Sequence, residues 1–228
     1  MSAFTEIQKE VHQAHPLRQP HLAKIQKLRG GRAVVSLFIS FFGEFPLMSK
    51  DADMVEEVLS NADCSKGVTL ILDAPGGDGL AAERMVRVCR SYSKKDFETI
   101  VPARAKSAAT MVCLGSDRIL LSPTSELGPI DPQVYYDNHW VAAHHMVKTY
   151  EELFNAAVSL TTGKIEPYLQ QLAKFDPIEI RALQSAAKLS EDIAILSLQN
   201  GMMKGKTVDE IKKLIEPFTD HVWSLEEV

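Results

Sequence analysis

Residues 73–85 read DAPGGDGLAAERM, and this stretch decides how the fold is interpreted. The apolar run GVTLIL at 67–72 precedes it, and an amphipathic pattern follows from residue 79 onward. A buried strand, a glycine-containing turn and a helix, in that order, are typical of an α/β unit. The glycines indicate a backbone that takes positive φ or approaches another group more closely than a side chain would allow. The turn is therefore a candidate for both fold and function.

Strand and helix patterns alternate on both sides of this turn. The sequence predicts strands at 32–40, 67–73, 98–105 and 118–121, and helices at 49–61, 79–95 and 107–114. The predicted strands are nearly continuous apolar runs, which is typical of parallel strands covered by helices on both faces. The sequence thus predicts an α/β fold with right-handed crossovers.

Three regions of one domain are predicted. Residues 1–30 form an N-terminal helical arm of two short helices, interrupted by Pro16 and Pro20 and ending at Gly30 and Gly31. Residues 31–135 form the α/β core with the glycine turn. Beyond Asp131 every segment has a helical pattern, from Trp140 onward, so 136–228 is predicted as a C-terminal helical region of the same domain.

Composition excludes several classes of function. The net charge of −5, with Lys and Arg scattered among acids, gives no basic stripe, so no nucleic acid is expected as a partner. The longest apolar run covers about ten residues, where a spanning helix needs roughly 20, so no membrane span is expected. The first residues lack a secretory pattern and the three cysteines form no pair motif, which predicts a cytoplasmic protein. No group of residues has metal-ligand spacing, so no metal is predicted.

Three interpretations compete for the turn at 75–79. The first is a strand-to-helix turn that needs positive φ, which accounts for one glycine more easily than for three. The second is a dinucleotide site, since 77–82 fits G-x-G-x-x-A, but Asp78 would place a carboxylate beside the pyrophosphate. No cofactor is therefore predicted. In the third, glycine amides donate hydrogen bonds to an oxyanion formed when a carbonyl is attacked.

The third interpretation requires a nucleophile, and Ser107 meets the requirement. It lies between a predicted strand and a predicted helix, in the segment AKSAAT, where Ala105, Ala108 and Ala109 leave its hydroxyl accessible. The Ala108 amide would share the developing negative charge. The alternative is that Ser107 only caps the helix, as serine commonly does.

Together, the segments LILDAPGG, AKSAAT and SELGPIDPQ resemble the serine dehydrogenase proteinase family. This family is a branch of the Clp protease and crotonase superfamily related to signal peptide peptidase A, and the resemblance runs from about Leu28 to the C-terminal helices. It implies a Clp protease/crotonase-like fold of repeated β-β-α units, a homo-oligomer, and a peptide or protein substrate. It also implies that Ser107 is the nucleophile and that Gly76, Gly77 and Ala108 form the oxyanion hole. Ala74 and the alanines of KSAAT depart from the family pattern.

The general base has two candidates in the sequence. The resemblance to signal peptide peptidases implies a Ser-Lys dyad with Lys148, whose burial among Met146, Val147 and Phe154 would favour the neutral amine. Pairing of Lys148 with Glu151 or Glu152 on a solvated face is the alternative. The rival base is His145 or His144, oriented by Asp73 or Asp131.

The sequence therefore predicts a serine peptidase that hydrolyses peptide bonds through an acyl-enzyme on Ser107, with Lys148 as base. Two alternatives use the same fold. One is a catalytically silent oligomeric scaffold, and the other is a crotonase-type acyl-thioester enzyme, in which paired backbone amides act without a serine.

Overall fold

The computed structural model describes residues 15–43, 45–136 and 138–219. The strands are β1 (Ala33–Phe38), β2 (Val68–Asp73), β3 (Phe97–Val101), β4 (Arg104–Ala105), β5 (Arg118–Leu121), β6 (Glu126–Leu127), β7 (Gln133–Tyr136) and β8 (His139–Ala142). The helices are α1 (His15–Leu28), α2 (Ser49–Ser60), α3 (Gly79–Tyr92), α4 (Ala108–Leu114), α5 (Ala143–Val158), α6 (Glu166–Leu172), α7 (Pro177–Asn200) and α8 (Val208–Thr219).

The central sheet is parallel throughout, with strand order β1-β2-β3-β5. Every residue of β2 except Asp73 is buried, as expected for an inner strand of a covered sheet. Helices α2 and α3 pack together beside this sheet through their buried apolar residues. The predicted α/β class is thus confirmed.

A short parallel pair, β4 with β6, lies outside the central sheet. The sequence predicted one strand over 98–105, but the structure divides it into β3 and β4 around Pro102. A proline has no N–H to donate to a ladder, so the strand ends there and the chain can turn. After the turn, Ala105 forms a parallel bridge with Ala74, which directly follows β2. This break brings the segment after β4 beside the glycine turn.

The prediction of helix from Trp140 onward was wrong at its start. Residues 133–136 and 139–142 form the antiparallel hairpin of β7 and β8, and the helix α5 begins only at Ala143. The stretch QVYYDNHWVA carries valine and aromatic residues, which favour strands, on both sides of Asp-Asn, and Asn138 takes φ of 66°. That strand signal was overlooked because the helical pattern that follows it is longer.

The first helix also differs from the prediction. Within the described residues, α1 continues through Pro20, where the sequence predicted an interruption. It ends as predicted, because Gly30 and Gly31 take φ of 73° and 84° and Gly31 donates its N–H to the carbonyl of Gln26. Residues 1–14 of the predicted arm and 220–228 of the predicted C-terminal region lie outside the described residues, and the division into regions stays a prediction.

Two later helix starts agree with the sequence. Asp176 accepts a hydrogen bond from the Ile178 amide at 2.8 Å and begins α7. Thr207 and Glu210 form a reciprocal capping box at the start of α8, with the Glu210 carboxylate 2.9 Å from the Thr207 amide. Among the described helices, none combines the length and apolar character that a bilayer crossing requires.

A buried carboxylate organises the edge of the sheet where the strands begin. Glu98, at the start of β3, is fully buried and accepts two hydrogen bonds from Arg29 at 2.8 and 2.7 Å. Thr69 on β2 donates a third at 2.7 Å. Burial alone would raise the pKa of Glu98, but these hydrogen bonds and the charge of Arg32 outweigh burial and lower it. The carboxylate therefore links the end of α1 to two strands.

Replacing Glu98 with Gln should cost about 3 kcal/mol of unfolding free energy at neutral pH, because Arg29 and Arg32 lose a buried counter-charge. A lowered carboxyl pKa stabilises the fold above the unfolded pKa, and that stability is lost as pH falls through the folded value. Wild type should therefore lose stability below about pH 4 more steeply than Glu98→Gln. Urea unfolding across pH measures this, with the exposed Glu57→Gln as control. Equal acid dependence in all three proteins contradicts the prediction.

Candidate active site

The glycine turn after β2 is held by the backbone around Leu47. The Leu47 amide donates to the Gly76 carbonyl at 2.7 Å, and the Leu47 carbonyl accepts from the Asp78 amide at 2.9 Å. Gly76 and Gly77 both have positive φ, at 109° and 152°. A Cβ on Gly77 would collide with the Leu47 backbone. The turn therefore needs glycine both for its conformation and for its packing.

Gly76 touches the segment that carries Ser107. A Cβ added to Gly76 would lie 2.7 Å from the Ser107 Cβ and 2.8 Å from the Lys106 carbonyl oxygen. No real Cβ packs so closely, so the absent side chain is what lets the two loops meet. The glycine turn and Ser107, predicted separately from the sequence, are thus brought into contact.

Ser107 adopts a backbone conformation that costs free energy. Its φ of 50° and ψ of −121° lie outside the regions that a residue with a Cβ readily populates, and non-glycine residues of this kind cost about 1–3 kcal/mol each. Such strain at a sharp strand-to-helix turn exposes the nucleophile in some hydrolases. Although Ser107 precedes α4, its side chain makes no capping hydrogen bond there. The capping interpretation therefore does not account for this serine.

Backbone hydrogen bonds fix Ser107 in place from two sides. The Lys106 amide donates to the Ala74 carbonyl at 3.1 Å, next to the glycine turn. The Ser107 amide donates to the Pro129 carbonyl at 3.0 Å, in the segment GPIDPQ. The Lys106 ammonium donates a hydrogen bond to the Glu126 carboxylate at 2.8 Å, and this ion pair disfavours Lys106 as the base.

Several amides near Ser107 have no acceptor within the described part of the chain. They are the N–H groups of Gly76, Gly77 and Ala108. Gly76 and Ala108 are buried, and an unpaired buried amide is costly unless a ligand or solvent completes its hydrogen bonding. All three sit on the two segments that Gly76 brings into contact. This arrangement suits hydrogen bonding to an anionic oxygen beside Ser107.

The dinucleotide interpretation of the turn is disfavoured by Asp78. Its carboxylate accepts the Leu80 amide at 2.9 Å and caps the start of α3. The helix terminus that would receive a pyrophosphate is therefore occupied by a negative side chain. Within the described residues, no group of three His, Cys, Asp or Glu could hold a metal ion.

The expected burial of Lys148 is wrong. Lys148 is exposed on α5, and Phe154, expected to cover it, is itself 48% exposed. The neighbours Met146 and Val147 are less accessible, but they face other directions on the helix. The geometry of a single chain therefore does not provide the desolvation that a neutral lysine requires.

The rival histidines are differently placed. The His144 Nδ1 atom lies 3.1 Å from the Asp131 Oδ2 atom, and the Asp131 side chain is only 7% exposed. The rings of His144 and His145 lie 4.1 Å apart. Burial raises the pKa of Asp131, although His144 opposes the rise. Asp73 instead accepts the Arg104 amide at 3.2 Å, so Asp131 is the acid that the structure pairs with a histidine.

The His144 and Asp131 pair faces a cavity of about 460 Å³. Helices α7 and α8 form its opposite wall, with Ala187, Lys188, Glu191 and Glu216. Asp131 is two residues beyond Pro129, whose carbonyl accepts the Ser107 amide, although Ser107 is not among the residues that line this cavity. The sequence predicted His144 and Asp131 only as an alternative base and its orienting acid, because their contact depends on the β7–β8 hairpin between them.

Comparison with known proteins identifies one matching family model, that of the ClpP-like SDH-type serine proteinases, over residues 9–160. Two uncharacterized proteins of Methanocaldococcus jannaschii, MJ0137 and MJ1495, are similar to the chain. They are 31% identical over 85 residues and 24% identical over 121 residues, covering 37% and 50% of this chain. The matched segments span 29% and 41% of those relatives, well under half of their length.

Replacing Gly76 with Ala should destabilise the fold far more than replacing Gly30. Both glycines have positive φ, but nothing lies within 4 Å of a Cβ at Gly30. The difference between the two variants should be at least about 2 kcal/mol, since only Gly76→Ala adds a clash with Ser107 and Lys106 to the backbone strain. Urea unfolding of both proteins measures it. Equal losses would show that the two loops are not in tight contact.

Proposed function

The chain belongs to the ClpP-like SDH-type serine proteinases, and on this basis we propose that it is a serine peptidase with Ser107 as its nucleophile. The observation that carries the proposal is the strained conformation of Ser107 in contact with Gly76. The hydroxyl makes no hydrogen bond to any described residue, although serine before a helix usually caps it. The strained backbone of Ser107 and a hydroxyl that bonds to no described residue together support a catalytic role for this serine.

The proposed reaction is acyl transfer from a peptide to Ser107 and then to water. The Ser107 oxygen attacks the scissile carbonyl while its proton passes to a base, and the carbonyl oxygen becomes anionic. We propose that the amides of Gly76, Gly77 and Ala108 donate to this oxyanion. Collapse of the intermediate breaks the C–N bond, and the base gives its proton to the leaving amine. Water then cleaves the ester by the same steps and restores the serine.

We propose His144, oriented by Asp131, as the base. Support comes from the 3.1 Å contact between them and from the link through Pro129 to the Ser107 amide. A carboxylate that holds an imidazole fixes its orientation and stabilises the imidazolium formed during the reaction. Lys148, the base that the resemblance implies, is exposed on α5 in the single chain. It remains the alternative that the variants below test.

Substrate, assembly and location stay predictions. The family supports a peptide or protein substrate, and the homo-oligomer and the cytoplasmic location rest on the sequence. The silent scaffold and the acyl-thioester enzyme are the competing functions. A folded protein that never reacts with a fluorophosphonate supports the scaffold, and thermal stabilisation by acyl-coenzyme A supports the thioester enzyme.

Replacing Ser107 with Ala should abolish fluorophosphonate labelling and lower peptide hydrolysis by at least about a thousandfold, since the nucleophile is lost. Stability should change by less than about 1 kcal/mol, because the hydroxyl has no hydrogen-bond partner among the described residues. Mass spectrometry locates the label. Ser185→Ala on α7 is the control, because it removes a serine and leaves Ser107 intact. Labelling that persists in Ser107→Ala contradicts the proposal.

Replacing His144 with Gln should lower the labelling rate by at least about a hundredfold, whereas Lys148→Met should stay within a fewfold of wild type. Asp131→Asn should lower the rate by a smaller factor, because the imidazole remains but its orientation is lost. His145→Gln is the control, because it removes the adjacent imidazole ring and leaves His144 intact. A rate lost in Lys148→Met and kept in His144→Gln would assign the base to lysine instead.

A further inference from the structure

Thr110 is a polar residue in a helix whose other residues are all apolar. It lies on α4, three residues after Ser107, and it is fully buried. A hydroxyl in such surroundings costs free energy unless it is hydrogen-bonded. Its bonding partners therefore indicate why the helix carries threonine at this position.

The Thr110 hydroxyl joins the two strands of the outer pair. Its oxygen lies 2.8 Å from the Ala105 carbonyl on β4 and 3.0 Å from the Gly128 carbonyl directly after β6. It also accepts the Gly128 amide at 3.2 Å. A hydroxyl carries one proton, so the two carbonyls share it. The side chain is thus a cross-link between two segments that are far apart in sequence.

These bonds are not the local kind that threonine commonly makes in helices. A helical threonine usually bonds the carbonyl three or four residues earlier. Here Ala105 is five residues earlier and outside the helix, and Gly128 directly follows β6, 18 residues later in the chain. A threonine that served only helix geometry would not need either partner.

Both cross-linked residues adjoin the bonds that hold Ser107. Ala105 is two residues before Ser107 and forms the bridge to Ala74. Gly128 directly precedes Pro129, whose carbonyl accepts the Ser107 amide. The Gly128 amide also donates to the Ala105 carbonyl at 2.8 Å, so the buried hydroxyl adds a side-chain cross-link to a backbone bond between the two segments that hold Ser107.

We propose that Thr110 is a positioning residue that sets the attack geometry of Ser107 without touching the substrate. The inference rests on the proposed function, because it assumes that Ser107 is the nucleophile. Its hydroxyl reinforces the backbone bond between Ala105 and Gly128 and so limits movement of the two segments that hold the strained serine. An error of about 1 Å in a reacting group can lower a rate by roughly a hundredfold, so the effect falls on the chemical step.

The test compares Thr110→Val, which keeps the shape and removes the hydroxyl, with Thr110→Ser, which keeps the hydroxyl. Saturation kinetics of fluorophosphonate labelling separate the first-order rate from the apparent inhibitor affinity. Thr110→Val should lower the first-order rate at least about tenfold with unchanged affinity, and Thr110→Ser should stay within about threefold of wild type. Thr99→Val is the matched control, since Thr99 on β3 is equally buried and its hydroxyl contacts that of Ser116, in the turn between α4 and β5, at 3.1 Å.

Each outcome decides the inference. A normal rate in Thr110→Val overturns it, as does an equal loss in Thr110→Ser or in Thr99→Val. If Thr110→Val does not fold, Thr110→Cys takes its place, because the thiol is a weaker donor and should give an intermediate rate; a wild-type rate in that variant overturns the inference. A wild-type protein that does not label overturns the proposed function as well, whereas labelled wild type beside an unaffected Thr110→Val overturns the inference alone.

Discussion

The close approach of Gly76 to Ser107 is the constraint on which the site depends. Two loops that follow different strands meet there at a distance that no side chain would permit. The contact holds Ser107 in a conformation that is unfavourable by itself, and the surrounding backbone bonds compensate for that cost. The unpaired amides of the turn and of Ala108 lie beside the same contact. A methyl group at Gly76 would therefore disturb both the serine and the donors proposed to act with it.

The two ends of the parallel strands have different roles. The glycine turn follows the carboxyl end of β2, and the Ser107 segment follows β4, just beyond the carboxyl end of β3. This agrees with the rule that α/β proteins bind ligands at the carboxyl ends of the strands. At the opposite end, Glu98 joins Arg29 and Thr69 in a buried network. The network fixes the strand starts, so the loops at the other end are carried by strands of set register. The stabilising network thus lies where the strands begin, and the candidate site lies where they end.

The sequence predicted the parallel sheet and the family because both depend on local patterns. Apolar runs, glycines and the AKSAAT segment are visible without knowledge of the fold. The hairpin of β7 and β8 was missed because its short strand pattern runs into a longer helical one. The role of Thr110 was also out of reach, since a threonine in an apolar helix gives no sign of its partner across the fold. Contacts between distant segments are set by packing, and a single sequence does not display them.

The choice between lysine and histidine as the base depends on the free-energy cost of keeping a lysine amine neutral. A lysine with an ordinary pKa of about 10.4 must have it lowered by some three units to act near neutral pH, at 1.36 kcal/mol for each unit, whereas histidine needs little change. Burial is the usual means of lowering it, and Lys148 is exposed in the single chain. Lysine catalysis would therefore require a substrate or a second copy of the chain to cover this face of α5. His144 already has a buried carboxylate beside it, so the histidine mechanism requires no such cover.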